Sequence, residues 1–202
     1  MVSKPRVAVI GTGGTISSVG QDGLDLVRYV DNQKVYQVDE LIDAFPEVQK
    51  QADLLPVRLR AIPSTSLGPA EWLEINTTIR DVVTENPSID GIVVTHGTAT
   101  LEETAYFINL VSKVEVPIVF VGAQRPASGI GTDAGINLVN AIRTAAHPDS
   151  RGRGVLGLLN DEIHFARDMT KTSTLRQQTF KSPDFGLLGH ADWDKIAYYR
   201  FP

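Results

Sequence analysis

The chain of 202 residues contains no cysteine. That absence excludes disulfide bonds and thiolate metal sites, and it favours a reducing compartment, so we predict a cytoplasmic location. Long hydrophobic runs are also missing, since no stretch approaches the ~20 apolar residues that a membrane-spanning helix needs. The opening residues "MVSKPRVAVIGTGG" reach a glycine-rich loop before any apolar segment typical of a signal peptide. We therefore expect neither a membrane span nor an export signal.

Positive charge is scarce as well. Lysine and arginine together number 19 against 24 aspartates and glutamates, the net charge is −5 at pH 7, and the basic residues form no cluster. Proteins that bind nucleic acid carry a basic patch, so this class is excluded. Apolar residues make up 42% of the chain and charged residues 21%, an ordinary composition for a globular protein. The length predicts one domain with a core of its own.

The sequence does contain a regular alternation of short β-branched runs with longer segments of helical spacing. The runs predict strands at 6–10, 57–62, 92–95, 117–121 and 154–159. The longer segments predict helices at 69–83, 101–111 and 134–146. Repeated strand–helix–strand units predict an α/β fold over residues 1–202, with a three-layer, open, mostly parallel sheet and covering helices. Further strands are expected, as a hairpin or at the sheet edge, at 162–168 and 195–201.

Glycine and small hydroxyl residues follow the predicted strands. The loops read "GTGGTISS", "PSTSLG", "HGTAT", "GAQRPASGIGTD" and, near the end, "RDMTKTST". Ligands bind at the carboxyl ends of the strands in such sheets, so these loops are the candidate site. The first loop is a poor nucleotide motif, because Ile16 stands where the third glycine belongs and no Lys-Ser/Thr pair follows. Its glycines allow a tight turn, which can also expose Thr15.

Four polar side chains in these loops differ in their surroundings. Thr100, followed by Glu103, fits a capping box, whereas Thr98 precedes the cap and either faces the strand-end crevice or bonds its own backbone. His96 is expected to be a packed, hydrogen-bonded loop residue, and no ligand cluster predicts a metal site. Lys171 is either a solvated surface residue or a base whose pKa burial or nearby charge lowers.

Several long motifs, taken in order, resemble the bacterial-type L-asparaginase/glutaminase family. They are "GTGGTIS", "THGTATLEETAYF", "VPIVFVGAQRP", "DAGINLVNAI" and "RDMTKTST…TFKSPDFGLLG". The likeness runs from the first predicted strand to near the end of the chain, and motifs in register are more specific than a single glycine loop. The resemblance implies the fold of the family's N-terminal domain and a small-molecule amide substrate. We expect neither a metal nor another cofactor.

The resemblance also implies roles for individual residues. Thr15 matches the nucleophile that attacks the side-chain amide and passes through an acyl-enzyme. Thr98 matches a second threonine, which works with a lysine that corresponds to Lys171. Tyr29 matches a tyrosine on a mobile loop that assists the first threonine, although a short insertion changes the spacing. Ser64 matches a serine that helps to bind the substrate carboxylate.

Two substrate-binding positions depart from the family pattern. Ala99 stands where the family has aspartate, and Thr65 stands where it has glutamine. Both usual residues help to hold the substrate's α-ammonium, and the aspartate also supports the lysine. A charge-assisted hydrogen bond is worth about 1.5–3 kcal/mol, so its loss should weaken asparagine binding or turnover.

The length of the chain leaves three functions open. Family members continue into a smaller C-terminal domain, which contributes site residues across a dimer interface and is absent from residues 1–202. The leading hypothesis is an amidohydrolase that releases ammonia from a small ω-amide such as L-asparagine and is a homo-oligomer in its full-length form. An amidase for a dicarboxylate monoamide without the α-amino group would suit Ala99 and Thr65. A catalytically silent ligand-binding domain is the alternative from another class.

Overall fold

The structure is a computed structural model that describes residues 4–202. The expectation of no export signal rests partly on residues 1–3, and these lie outside the described part. Within it the strands are β1 Arg6–Gly11, β2 Ser18–Val19, β3 Lys34–Val35, β4 Asp53–Arg58, β5 Gly91–Thr95, β6 Ile118–Val121, β7 Val155–Leu159, β8 Glu162–Phe165, β9 Thr170–Lys171, β10 Phe180–Lys181, β11 Gly189–Ala191 and β12 Ile196–Tyr198. The α-helices are α1 Val38–Ala44, α2 Pro69–Glu85, α3 Leu101–Val111 and α4 Ala134–Ala146.

Eight of these strands form the central sheet, in the order β12-β11-β8-β7-β6-β5-β1-β4. The strand pairs β4–β1, β1–β5, β5–β6 and β6–β7 are parallel. Strands β8, β11 and β12 extend the sheet beyond β7 through antiparallel pairs. The α/β class and the mostly parallel sheet are therefore confirmed. Parallel strands place their carboxyl ends on one side, so the loops after β1, β5 and β6 meet there.

Helices cover both faces of the sheet. On one face, Val9 of β1 belongs to the same buried cluster as Leu138 of α4, with α1 on the same side. On the other face, Ile10 of β1 packs in a cluster with Ile79 of α2, with α3 alongside. Neighbouring strand residues thus point to opposite sides, and burial on both sides makes the inner strands apolar throughout.

The predicted strand at 57–62 was wrong by four residues, since the strand covers Asp53–Arg58. It contains Pro56, which lacks an amide hydrogen to donate to a neighbouring strand. The strand is β4, the last in the sheet order, so one side of it needs no partner. An edge position tolerates proline, and Pro56 pairs in register with Val9 of β1.

Other elements agree with the prediction or add to it. Helices α3 and α4 have the predicted bounds, and α2 extends two residues further. The strands expected near 162–168 and 195–201 are shorter than predicted and extend the sheet edge as β8 and β12. The short helix α1 and the β9–β10 pair were not predicted. Throughout residues 4–202, no helix is both long and apolar enough to cross a membrane.

Candidate active site

Two glycines bring the loops after β1 and β5 into direct backbone contact. Gly14 has φ = 83°, and a Cβ atom built on it would lie 2.2 Å from Cα of Gly97. A side chain on Gly14 would push the loops apart, and a Cβ atom on Gly97 would lie 2.7 Å from Oγ of Ser64. The residues that follow these glycines are Thr15 and Thr98, so the close approach holds the two hydroxyl-bearing residues next to each other.

A cavity of about 580 Å³ opens at this edge of the sheet. All seven predicted site residues line it: Thr15, Tyr29, Ser64, Thr65, Thr98, Ala99 and Lys171. They come from separate segments that span most of the chain. The topology therefore brings together a set that sequence order keeps far apart.

Thr15 and Tyr29 form the first hydroxyl pair. Thr15 begins a 3₁₀ turn after the glycines, and Tyr29 begins another at Tyr29–Asn32. Their oxygen atoms lie 2.8 Å apart, and either can be the donor. Both side chains are partly exposed to the cavity, so a molecule bound there could reach the Thr15 hydroxyl.

Thr98 and Lys171 form the second pair, which is more buried. The Lys171 Nζ atom donates to Thr98 Oγ1 at 2.7 Å, and that hydroxyl donates to Gln124 Oε1 at 2.9 Å. Thr98 is 4% exposed. Burial lowers the pKa of Lys171 below its ordinary value, and the charge of Glu102 opposes this in part. A lower pKa increases the fraction of Lys171 that is a neutral amine and can accept a proton.

Gln124 is a site residue that the sequence reading missed. It lies in the loop after β6, lines the cavity, and is 8% exposed. Its amide nitrogen donates to the carbonyl oxygens of Thr174 at 3.2 Å and Arg176 at 3.0 Å, while its backbone N–H donates to Asp133. The amide therefore holds both the Thr98 hydroxyl and the loop after β9. Its position in the strand-end loop "GAQRP" was the available signal.

Ser64 and the start of α3 form the floor of the cavity. Ser64 is 3% exposed, and its carbonyl oxygen accepts the Thr100 hydroxyl at 2.8 Å. The predicted capping box at Thr100 and Glu103 is therefore wrong: Thr100 is the N-cap residue, but its side chain bonds another loop. The same carbonyl oxygen accepts the backbone N–H of Leu67 at 3.0 Å, so the turn that Ser64 begins and the Thr100 hydroxyl both hold it in place. Thr65 and Ala99 are exposed towards the cavity.

The remaining wall is apolar and carries no negative charge. Leu26, Val27 and Val30 line it beside Tyr29. Of the described residues that line the cavity, none is Asp or Glu, and Lys34 is the second cation besides Lys171. The walls contributed by this chain therefore favour an anionic or neutral ligand over a cationic one.

His96 is packed and hydrogen-bonded, as expected. It is fully buried, and its Nδ1 atom lies 2.8 Å from the Gly97 carbonyl oxygen, so Nδ1 carries the hydrogen. Its Nε2 atom has no hydrogen-bond partner among the residues described. Burial lowers the pKa of His96 to about 4, so the ring is neutral at pH 7. Across residues 4–202, His, Asp and Glu side chains form no group of three that could hold a metal ion.

Comparison with known proteins gives consistent matches. A family model described as "Asparaginase, N-terminal" matches residues 6–202. A Haemophilus influenzae protein named "Probable L-asparaginase periplasmic" is 42% identical over 98% of this chain and 55% of its own length. The L-asparaginase 2 of Escherichia coli is 38% identical over the same shares. A glutaminase-asparaginase of Pseudomonas fluorescens is also 38% identical, over 98% of this chain and 53% of its own.

A solved structure agrees with these matches. The crystal structure of a probable cytoplasmic L-asparaginase from Campylobacter jejuni has a TM-score of 0.91 and 37% identity, over 98% of this chain and 59% of that one. The chain thus spans about half the length of the curated relatives it matches. The names of the relatives differ in compartment, since one is called periplasmic and another cytoplasmic.

Proposed function

The chain belongs to the asparaginase family, and we propose that residues 1–202 are the N-terminal catalytic domain of a two-domain amidohydrolase. The proposed reaction releases ammonia from a small ω-amide such as L-asparagine, the substrate in the names of its relatives. One observation carries the proposal: a single cavity receives two threonine hydroxyls, each paired with a titratable side chain. Such a pairing is what a weak hydroxyl nucleophile requires.

In the proposed first step, Thr15 Oγ1 forms a bond to the amide carbon. The proton of Thr15 passes to the Tyr29 oxygen while the Tyr29 hydroxyl gives its own proton to the amide nitrogen, whose bond to carbon breaks. Ammonia leaves, and an ester of Thr15 remains. A water molecule then attacks this ester, releases the carboxylate product and restores the Thr15 hydroxyl. The 2.8 Å contact between Thr15 and Tyr29 supports this assignment.

The second pair, Thr98 and Lys171, is proposed to transfer protons beside the reacting carbon. Burial lowers the pKa of Lys171, which moves the neutral amine towards the working pH. Thr98 lies between Lys171 and Gln124, so its hydroxyl is held in one orientation. We assign to these two residues the activation of the amide or of the attacking water.

Substrate binding is assigned to Ser64, Thr65 and Ala99. The first turn of α3 leaves backbone N–H groups without partners inside the helix, and their partial positive charge favours an anion. Ser64 lies against the loop that precedes this turn, since a Cβ on Gly97 would come within 2.7 Å of its Oγ. The carboxylate of the substrate is proposed to bind there.

A second candidate is an amidase for a dicarboxylate monoamide that lacks the α-amino group, such as succinamate. The charge of the cavity favours it, because its described lining contains two lysines and no carboxylate. An α-ammonium would therefore depend on groups outside this chain. A small difference in the free energy of charge-assisted bonding decides between the two substrates, since about 1.4 kcal/mol corresponds to a tenfold change in affinity.

Ammonia release tests the proposal directly. The assay compares two proteins, namely residues 1–202 and the full-length protein, which is the product of the whole reading frame. Each is tested with asparagine, glutamine and succinamate. Thr15→Ala should abolish release, while Thr77→Ala, a matched change on the exposed face of α2, should leave it unchanged. Tight aspartate binding in a calorimeter without turnover of any amide would instead indicate a silent binding domain.

Compartment and assembly remain parts of this proposal. The absence of cysteine supports a cytoplasmic location, and the family resemblance supports a homo-oligomer of the full-length protein. Cell fractionation tests the first, and light scattering coupled to size-exclusion chromatography tests the second. Activity in the periplasmic fraction, or a full-length monomer that is active, would contradict them.

A further inference from the structure

Glu102, in the first turn of α3, holds the short strand that carries Lys171. Its Oε1 atom accepts the hydroxyl of Thr170 at 3.0 Å, and its Oε2 atom accepts the backbone N–H of Lys171. Both carboxylate oxygens thus bond consecutive residues of β9. Two bonds from one side chain fix the position and the direction of that backbone.

Strand β9 needs such a clamp because it is only two residues long. Among residues 4–202, its one strand partner is β10, which pairs Lys171 with Phe180 and Thr170 with Lys181. A two-residue ribbon is too short to set its own register firmly. The far side of β9 meets Glu102, so α3 fixes both Thr98, just before the helix, and the strand that brings Lys171 to it.

The charge of Glu102 acts on the same lysine. The groups within hydrogen-bond reach of the Lys171 side chain are neutral, namely the Thr98 hydroxyl and, beyond it, Gln124. Tyr29 and Lys34 are the other titratable groups in the cavity wall. Glu102 raises the pKa of Lys171 against the larger lowering effect of burial.

We propose that Glu102 is a positioning residue of the amidohydrolase site, which fixes Lys171 against Thr98 and places a negative charge beside that lysine. The inference rests on the proposed function, because it assigns Lys171 a part in proton transfer. Glu102 acts through the lysine and does not line the cavity.

Three variants separate position from charge. Glu102→Gln keeps an oxygen to accept the Lys171 N–H and an amide group that can donate to the Thr170 hydroxyl, so it removes the charge and keeps the clamp. Glu102→Ala removes both. Glu103→Gln is the matched control, because Glu103 lies in the same helical turn and is exposed.

The first readout is a titration of the Lys171 ammonium by lysine-selective NMR, with Lys171→Met to assign the signal. It uses the chain as printed and requires no turnover. Glu102→Gln should lower the pKa of Lys171 relative to Glu103→Gln, because it removes the charge that opposes the effect of burial. Equal pKa values in the two variants would overturn the inference about charge, whether or not the protein releases ammonia.

The second readout is the pH profile of the full-length protein. In Glu102→Gln the rising limb of the plot of kcat against pH should move to lower pH, because Lys171 loses its proton more easily. The maximum value of kcat should change little. Glu102→Ala should reduce kcat about 10- to 100-fold, as expected for a misplaced reacting group, and change KM less. A loss of activity as large in Glu102→Gln as in Glu102→Ala, without a shift of the limb, would contradict the clamp. Absence of ammonia release from the wild-type protein would contradict the proposed function alone.

Discussion

The Nζ atom of Lys171 lies 2.7 Å from the Oγ1 atom of Thr98, although 73 residues separate them in the sequence. The Thr98 hydroxyl donates in turn to Gln124, so it has one donor and one acceptor fixed by the protein. A hydroxyl held in this way has a defined orientation towards the cavity. Removing either partner therefore disturbs the same proton path.

Thr98→Val and Lys171→Met should each reduce kcat by orders of magnitude, and the double variant should lose little more than either single one. Groups that act as one unit show such non-additivity. Steady-state ammonia release by the full-length protein measures it. The control is Lys113→Met, which removes a lysine distant from the cavity lining and should be neutral. If the two losses multiply in the double variant, Thr98 and Lys171 act separately.

Gly14→Ala should cost far more stability than Gly152→Ala. Both glycines have positive φ, 83° and 73°, so an alanine is strained at either position, and Gly14, with ψ = −174°, lies in a region that essentially only glycine occupies. A Cβ on Gly14 would collide with Gly97, whereas nothing lies within 4 Å of a Cβ on Gly152. Urea denaturation measures the difference between the free energies of unfolding. Equal losses would show that the two loops can separate at no cost.

The free energy of unfolding should fall between pH 6.5 and pH 4 because of His96. Burial lowers its pKa to about 4 in the folded protein, while the unfolded chain has the ordinary value of 6.5. The unfolded state therefore binds a proton that the folded state refuses, so stability is full above pH 6.5 and declines as pH falls to 4. At pH 5 the loss is about 2 kcal/mol.

Urea denaturation at pH 7.5 and pH 5 checks the His96 prediction. His96→Gln should flatten this part of the pH dependence, and His190→Gln should leave it as it is. If His96→Gln does not fold, NMR titration of the His96 ring in the wild-type protein gives the same answer. A ring that protonates near pH 6.5 in the folded protein would refute the prediction.

The parts of the fold that follow local rules could be predicted. Helices α3 and α4 have apolar residues at helical spacing and matched their predicted bounds. The error at β4 has a non-local cause, because Pro56 is acceptable only at a sheet edge, and the sequence does not state which strand is outermost. The short β9–β10 pair has no periodicity to detect.

The same distinction applies to the site. Thr15 and Thr98 could be selected because each lies in the loop after a strand, at the edge of the sheet where ligands bind. Gln124 and Glu102 act through contacts with residues about 50 and 70 positions away, and such contacts exist only after folding. The mistaken capping box at Thr100 has the same origin, because a loop 36 residues earlier competes for its hydroxyl.

Ala99 is the position where this chain should differ most from its relatives in substrate preference. The residue is exposed to the cavity just before α3, and the described lining contains no carboxylate. Glu102 and Glu103 of the first turn of α3 lie outside the cavity lining, and Ala99 adds no negative charge on the cavity side, so this wall favours a substrate carboxylate and offers little to an ammonium. We therefore expect the full-length protein to discriminate weakly between asparagine and succinamate, or to prefer succinamate.

Ala99→Asp should restore the preference for the α-amino acid. A carboxylate at this position can make a charge-assisted bond to the α-ammonium, worth about 1.5 kcal/mol at the low end of its range, so kcat/KM for asparagine should rise about tenfold relative to succinamate. Ala99→Asn is the matched control, since it has the same shape without the charge and should shift the ratio much less. The ratio of the two efficiencies is the measurement, because it cancels any general loss of stability or activity. If the ratio is unchanged or falls in Ala99→Asp, the ammonium does not bind beside Ala99 and the charge of this wall does not set the substrate.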